Sequence, residues 1–275
     1  MSAPRRGFPT FGQGVVVILI SFGAVLATGY VGALVIAVLG KKHIDTVAGF
    51  GALLGAGLAA ALVLAWASAV RREPIRILVV PKPVAAGPFG LALVATLGAE
   101  VVLSQVDIWL RRLIPPGPFF RDMMASLEGG PALVIVGVVV VSPLSEELIF
   151  RGVILRGFLE NYGPRAAIVL SSLLFAFVHL NPWQGVGSFL GGCLLGWFVA
   201  RTGSLLPAVA GHVMNNGIWL FTRRLDTKIP GLTAEGFQPS WLTALGMLVL
   251  AGGIVGFHRV ARTARNPGTG TEMAS

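Results

Sequence analysis

Apolar residues run through this chain in blocks of about twenty or more, and short polar breaks separate them. Residues 14–40 carry no charge, and Lys41, Lys42 and His43 close the run. A signal peptide has an apolar core of only about 7–15 residues, so this longer block predicts a retained membrane-spanning helix. Residues 46–70 form a second block, rich in Gly and Ala, which lets helices approach closely. Arg71, Arg72, Glu73 and Pro74 end it. Residues 77–83 read as a short extended, strand-like linker. Further blocks cover 84–110, 131–161, 164–180, 183–201, 205–221 and 241–260. A bilayer core needs about 20 apolar residues per helical crossing, so the pattern predicts about eight spans. The stretch 113–130 breaks it with Pro115 and Pro116, and within it 119–127 has the makings of an amphipathic helix lying at the interface. The tail from Ala261 is polar.

Composition agrees with the pattern. Of 275 residues, 55% are hydrophobic and 12% charged, with mean hydropathy +0.81; a soluble domain carries about 25% charged residues. The fold class is therefore all-α, a polytopic membrane bundle around whatever polar groups the helices bury. A single cysteine, Cys193, rules out an internal disulfide and a multi-cysteine metal site. Between Gly192 and Leu194 it reads as a small packing residue. The net charge of +9 is spread over short loops and both tails. That suits anionic lipid head groups, and no basic stripe with interleaved aromatics suggests nucleic acid. With eight spans, the side holding both termini carries eleven Lys and Arg against eight on the other. The bias predicts cytoplasmic termini in a multi-pass cell-membrane protein.

Charges that interrupt an apolar span are costly and mark function. The most prominent lie in Ser142-Pro143-Leu144-Ser145-Glu146-Glu147-Leu148-Ile149-Phe150-Arg151-Gly152. Glu147 and Arg151 are four apart and pair on one helical face. Glu146 points about 100° away from Glu147 and is left without a local partner, which suits a general base. Phe175 and His179 are one turn apart on the fifth span, and His212 and Asn216 on the seventh. A donor pair such as His212 and Asn216 can hold an oxyanion; interhelical hydrogen bonding is the plainer use of the same residues. Two His and one Glu are equally a catalytic zinc set, so Glu146, His179 and His212 are candidate metal ligands if zinc is used. Glu100, Ser104 and Asp107 share a face of the third span, either as a polar wall or as a helix end in which Asp107 pairs with Arg111.

Taken together, Glu146-Glu147-x-x-x-Arg151, Phe175-x-x-x-His179 and His212-x-x-x-Asn216 resemble the three motifs of the type II CAAX prenyl protease/Abi family, also called CPBP intramembrane proteases. The resemblance covers about residues 131–221. It implies a helical bundle around a conical cavity, with Glu146 and His179 activating water and His212 and Asn216 stabilising the oxyanion. Glu147, Arg151 and Phe175 would shape the site. It implies three regions: divergent spans and an interfacial loop (1–130), a catalytic core (131–222), and a last span with a tail (223–275). Both metallo- and metal-free glutamate mechanisms are compatible with the family, so zinc is the one cofactor to test. The expected function is an intramembrane endopeptidase acting on a membrane-associated protein or peptide. The alternatives are a non-catalytic scaffold or immunity-type protein of the same fold, and a proton-coupled transporter using Glu146, Glu147 and Asp107. The absence of an internal repeat weighs against the transporter.

Overall fold

Leu, Val, Ala and Gly dominate the apolar blocks, and in a bilayer such backbone must satisfy its own hydrogen bonds, so the blocks fold as helices. The structure, a computed structural model, describes residues 7–40, 44–79, 82–225, 229–232 and 236–263. Helices α1 (Phe11–Leu39), α2 (Ile44–Arg71), α3 (Ile75–Val79), α4 (Ala86–Leu113) and α5 (Pro118–Gly129) come first. The rod α6 (Ala132–Asn161) follows, then α7 (Pro164–Phe177), α8 (Pro182–Thr202), α9 (Leu206–Arg223) and α10 (Ser240–Thr263).

Every apolar block is a helix, but not every one is a full crossing. Among the described residues six helices are long and apolar enough to span: α1, α2 from Gly49, α4, α6, α8 and α10. Helix α7 has only 14 residues, about 21 Å at about 1.5 Å per residue, short of the roughly 30 Å hydrocarbon core. It stops at Phe177 because Leu180 adopts a left-handed φ of 54° and Pro182 opens the next helix. Helix α9 is apolar at its ends but carries His212, Asn215 and Asn216 in its middle. These two inner helices hold the polar side chains and are screened by neighbours. The linker expected at 77–83 is instead helical over Ile75–Val79. Its prolines and β-branched residues read as extended chain, but Leu78 is buried and fixes a helical turn. Residues 80 and 81 lie outside the described residues, as does the tail beyond 263.

Cross-contacts sort the helix ends into two faces. On one, the terminal face, which holds the start of α1 and the end of α10, Arg71 donates to the Phe8 carbonyl (2.7 Å) and to Glu160 (2.5 Å). Arg156 reaches Glu73 (3.1 Å), Ser204 donates to the Lys82 carbonyl (2.5 Å), and Arg201 meets His258 (3.4 Å). Asn161 holds the Gly7 carbonyl (2.6 Å). On the other face Trp183 donates to the Ile114 carbonyl (2.6 Å) and Arg224 to the Gly130 carbonyl (2.9 Å). The expected interfacial helix is present there as α5, with Phe120 against Trp183 at 4.5 Å.

The apolar core sits toward the terminal face. Phe158, Phe198, Phe257, Ile154 and Leu155 are fully buried there. Helices α4 and α10 lie nearly backbone to backbone: a side chain at Gly253 would stand 2.5 Å from the Ala95 nitrogen. Cys193 is half-buried on α8, consistent with a packing residue.

Candidate active site

The rod α6 is not a regular α-helix. Its backbone widens to π-helical turns at Gly137–Val141 and Leu148–Leu155, with one regular segment, Ser142–Glu147, between them. Such turns are rare and recur at functional sites. Pro143 near the start of the regular segment cannot donate to the helix, which fits the break in pairing. Glu146 and Glu147 thus end a short α-helical piece flanked by wider backbone.

Glu147 is fully buried, and one of its oxygens, Oε1, accepts from two directions. Arg151 Nη1 donates at 2.9 Å and His212 Nδ1 at 2.8 Å. The pair with Arg151 was expected; the contact with His212 was not. Arg151 also donates to the Gly192 carbonyl (3.3 Å), and its guanidinium lies 4.5 Å from the centre of the Phe175 ring. Two partners and an aromatic face offset the cost of burying the guanidinium. The second oxygen of Glu147 has no hydrogen-bonding partner.

Glu146, expected to stand without a local partner, accepts from Ser142 Oγ at 2.5 Å. Its side chain is 28% exposed against 0% for Glu147, so the two carboxylates differ in access as their spacing predicts. They are bridged, however, by one ring: His212 Nε2 lies 3.7 Å from Glu146 Oε2.

His179 is held in one orientation. Its Nδ1 is 3.0 Å from the Phe175 carbonyl, which only accepts, so Nδ1 carries the proton. Nε2 then presents its lone pair, and Ser188 Oγ donates to it at 3.2 Å. Phe175 stands edge-on to both His179 (5.2 Å) and His212 (5.7 Å) and spaces the two rings. Asn216 donates through Nδ2 to the Val138 carbonyl at 2.8 Å. That carbonyl belongs to the first π-helical turn, where regular pairing is disturbed. An amide nitrogen carries two hydrogens, so one remains for the cavity.

Glu146, Phe175, His179, His212 and Asn216 all line one cavity of about 800 Å³. Glu147 and Arg151 stand behind it, buried. The wall opposite is α4, where Glu100, Ser104 and Asp107 line the same cavity. Asp107 pairs with Arg111 at 2.6 Å, so both readings of that face hold together. Glu100 has no hydrogen-bonding partner among the described residues. No direct hydrogen bond joins Glu146 to His179; they share the cavity. Among the described residues no three His, Cys, Asp or Glu side chains are grouped to hold a metal ion. Glu146, His179 and His212 therefore do not close as a zinc set in this arrangement. Each ring donates its Nδ1 elsewhere, His212 to Glu147 and His179 to the Phe175 carbonyl, which leaves Nε2 as the nitrogen a metal would meet.

Ser142, Ser188 and the Val138 carbonyl were not foreseen as parts of the site. Ser142 was within reach of the sequence, being one turn before Glu146. Ser188 and Val138 depend on how helices pack across the cavity.

A family model described as type II CAAX prenyl endopeptidase Rce1-like matches residues 128–218. The match supports the CAAX protease/CPBP family for this segment, a third of the chain. The match runs from the end of α5 into α9 and contains every motif residue from Glu146 to Asn216. The matched segment supplies every motif residue that lines the cavity, while the α4 wall with Glu100, Ser104 and Asp107 lies before it. No curated protein and no solved structure matches the chain.

Proposed function

We propose that the chain is an intramembrane endopeptidase that hydrolyses a peptide bond of a membrane-associated protein or peptide, and that residues 131–222 do the chemistry. The observation that carries this reading is the arrangement around His212. One carboxylate is buried and anchors the ring; the other is accessible and faces the cavity.

In this mechanism Glu146 takes a proton from a water in the cavity, and the His179 Nε2 lone pair, once Ser188 gives it up, accepts that water's other hydrogen. The hydroxide attacks the scissile carbonyl carbon. Negative charge moves to the carbonyl oxygen, where the second N–H of Asn216 receives it, joined by His212 Nε2 when that nitrogen also carries a proton. Collapse of the intermediate breaks the C–N bond, and Glu146 returns its proton to the leaving amine. The products are a carboxylate and an amine, with one water consumed. Glu147 and Arg151 position His212 and do not touch substrate. Ser142 orients Glu146 and Ser188 orients His179. Oxyanion donors are worth about 10²–10³-fold in rate, and general-base help about 10²–10⁴-fold. No metal is needed for any of these steps.

The Lys/Arg bias supports cytoplasmic termini, and Arg156, bound to Glu73 on the terminal face, adds to that side. A C-terminal reporter active only outside the cytoplasm would refute this orientation. The enzymatic reading is tested by comparing the membrane proteomes of cells carrying wild type or Glu146→Gln. Uncut precursors should accumulate in the variant; identical proteomes at equal expression would argue for a non-catalytic scaffold.

A further inference from the structure

The lining of the cavity reaches one face of the bundle, the face opposite the start of α1 and the end of α10. Its lining includes Asp107 and Arg111 near the end of α4, Ser126 on α5, Trp183 at the start of α8 and Arg223 at the end of α9. All of these lie on the face opposite the termini, where Trp183 meets Ile114 and Arg223 approaches Glu128 at 3.8 Å. No described residue of the terminal-face connections, 72–85, 162–163 or 203–205, lines it. That side is closed by packed side chains: Phe150, Val153, Ile154 and Leu155 lie directly beyond the glutamates on α6, all buried. The segment before α1 seals it further. Phe8 is buried with its ring on Trp66 at 5.0 Å, and its carbonyl is held by Arg71.

We propose that substrate enters this cavity only from the membrane face opposite both termini, so that with cytoplasmic termini the enzyme cleaves a polypeptide segment exposed on the external side of the membrane and not a cytosolic chain end. The proposal rests on the endopeptidase reading for the word substrate, but the direction of access follows from packing and can be measured without activity. The rim supports the assignment. Arg111 and Arg223 line the mouth, while Arg112, Arg121 and Arg224 stand on the same face. The Arg111 guanidinium lies 5.5 Å from the centre of the Phe120 ring, and Arg224 is tied to the Gly130 carbonyl. Arg111 and Arg223 each stand beside a carboxylate, Asp107 (2.6 Å) and Glu128 (3.8 Å), so a polypeptide backbone held near lipid head groups would meet charges of both signs there before it reached Glu146.

The test uses the full chain in cells with Cys193→Ala, which removes the one cysteine. Gly187→Cys and Gly191→Cys place single thiols on the cavity wall of α8. A side-chain carbon at Gly187 meets nothing within 4 Å, and one at Gly191 meets only Leu103 at 4.0 Å, so both fit. Gly163→Cys places a thiol on the terminal face, also in open space. A charged, membrane-impermeant maleimide is added to intact cells and, separately, to inverted membrane vesicles. The expected result is that Gly187→Cys and Gly191→Cys react at least tenfold faster in intact cells than in inverted vesicles, and Gly163→Cys shows the reverse. Reaction of the cavity thiols from the Gly163 side overturns the proposal. So does reaction only with a lipid-soluble maleimide, which would mean entry from within the bilayer. Failure of the endopeptidase reading shows separately, as normal precursor processing in Glu146→Gln, and leaves the labelling pattern unchanged.

Discussion

The half of the molecule toward the termini and the half away from them are built on opposite principles. The terminal half is filled: Phe158, Phe198, Phe257 and Leu155 have no exposure, and Arg71, Glu73, Arg156 and Glu160 knit the helix ends together. The other half encloses about 800 Å³ of space walled by carboxylates, imidazoles, amides and hydroxyls. The boundary runs through α6 between Glu146 and Glu147. The first faces the cavity and the second faces the packing. Adjacent residues of the same type thus serve chemistry and architecture respectively, and what separates them is one step of helical rotation.

Exchanging each carboxylate for its amide is the strongest way to break this division. Glu146→Gln should lower peptide cleavage by about 10²–10⁴-fold with little change in melting temperature, because the half-buried side chain loses only its charge beside His212 (3.7 Å) and keeps a carbonyl oxygen for Ser142. Glu147→Gln should cost about 3–5 kcal/mol of stability, since it leaves Arg151 buried without a counter-charge. Thermal melting in detergent would report it, alongside lower accumulation. Should Glu146→Gln unfold while Glu147→Gln stays folded and inactive, the two halves have been divided the wrong way. A smaller effect is expected in the packed half alone. Gly253→Ala pushes a methyl to 2.5 Å from the Ala95 backbone, and overpacking of this kind costs about 1–3 kcal/mol. Its melting temperature should fall while cleavage per folded molecule stays unchanged. The smallest effect belongs to the cavity half. Ser188→Ala removes one hydrogen bond to His179, worth about 0.5–1.5 kcal/mol, so the rate should drop by no more than about tenfold with no change in melting. A lower melting temperature there would show that His179 serves packing.

Much of this organisation was open to reading from the chain. Glu147 with Arg151 and Asp107 with Arg111 are four-residue pairs on one helix, and local geometry alone brings them together. That each of the eight apolar blocks is helical followed from block length; that only six helices among the described residues are long and apolar enough to span did not. What escaped was whatever depends on how helices lie against one another. His212 is 65 residues from Glu147, and no spacing rule reports that both glutamates would converge on its ring. Counting spans by hydrophobicity gave α7 and α9 the same standing as α1. The structure separates them, because inner helices that carry a site need neither full length nor full apolarity. The short α3 was misread since prolines around it signal extended chain, whereas burial of Leu78 decides the matter.

The π-helical stretch Leu148–Leu155 has a consequence for insertions and deletions. A wide turn absorbs about one residue more than an α-turn over the same rise, so it acts as slack in the chain between Glu147 and Arg156. Removing one residue there would let the rod revert to regular pairing while leaving both glutamates in place. Everything beyond would keep its place, whereas the same deletion in the regular turns that follow, Arg156–Asn161, would rotate what lies beyond by about 100° and take Asn161 away from the Gly7 carbonyl. Loss of one residue within the wide turns would therefore leave the site tied to its foundation, while the same loss in a regular turn would uncouple them with no residue of the site changed.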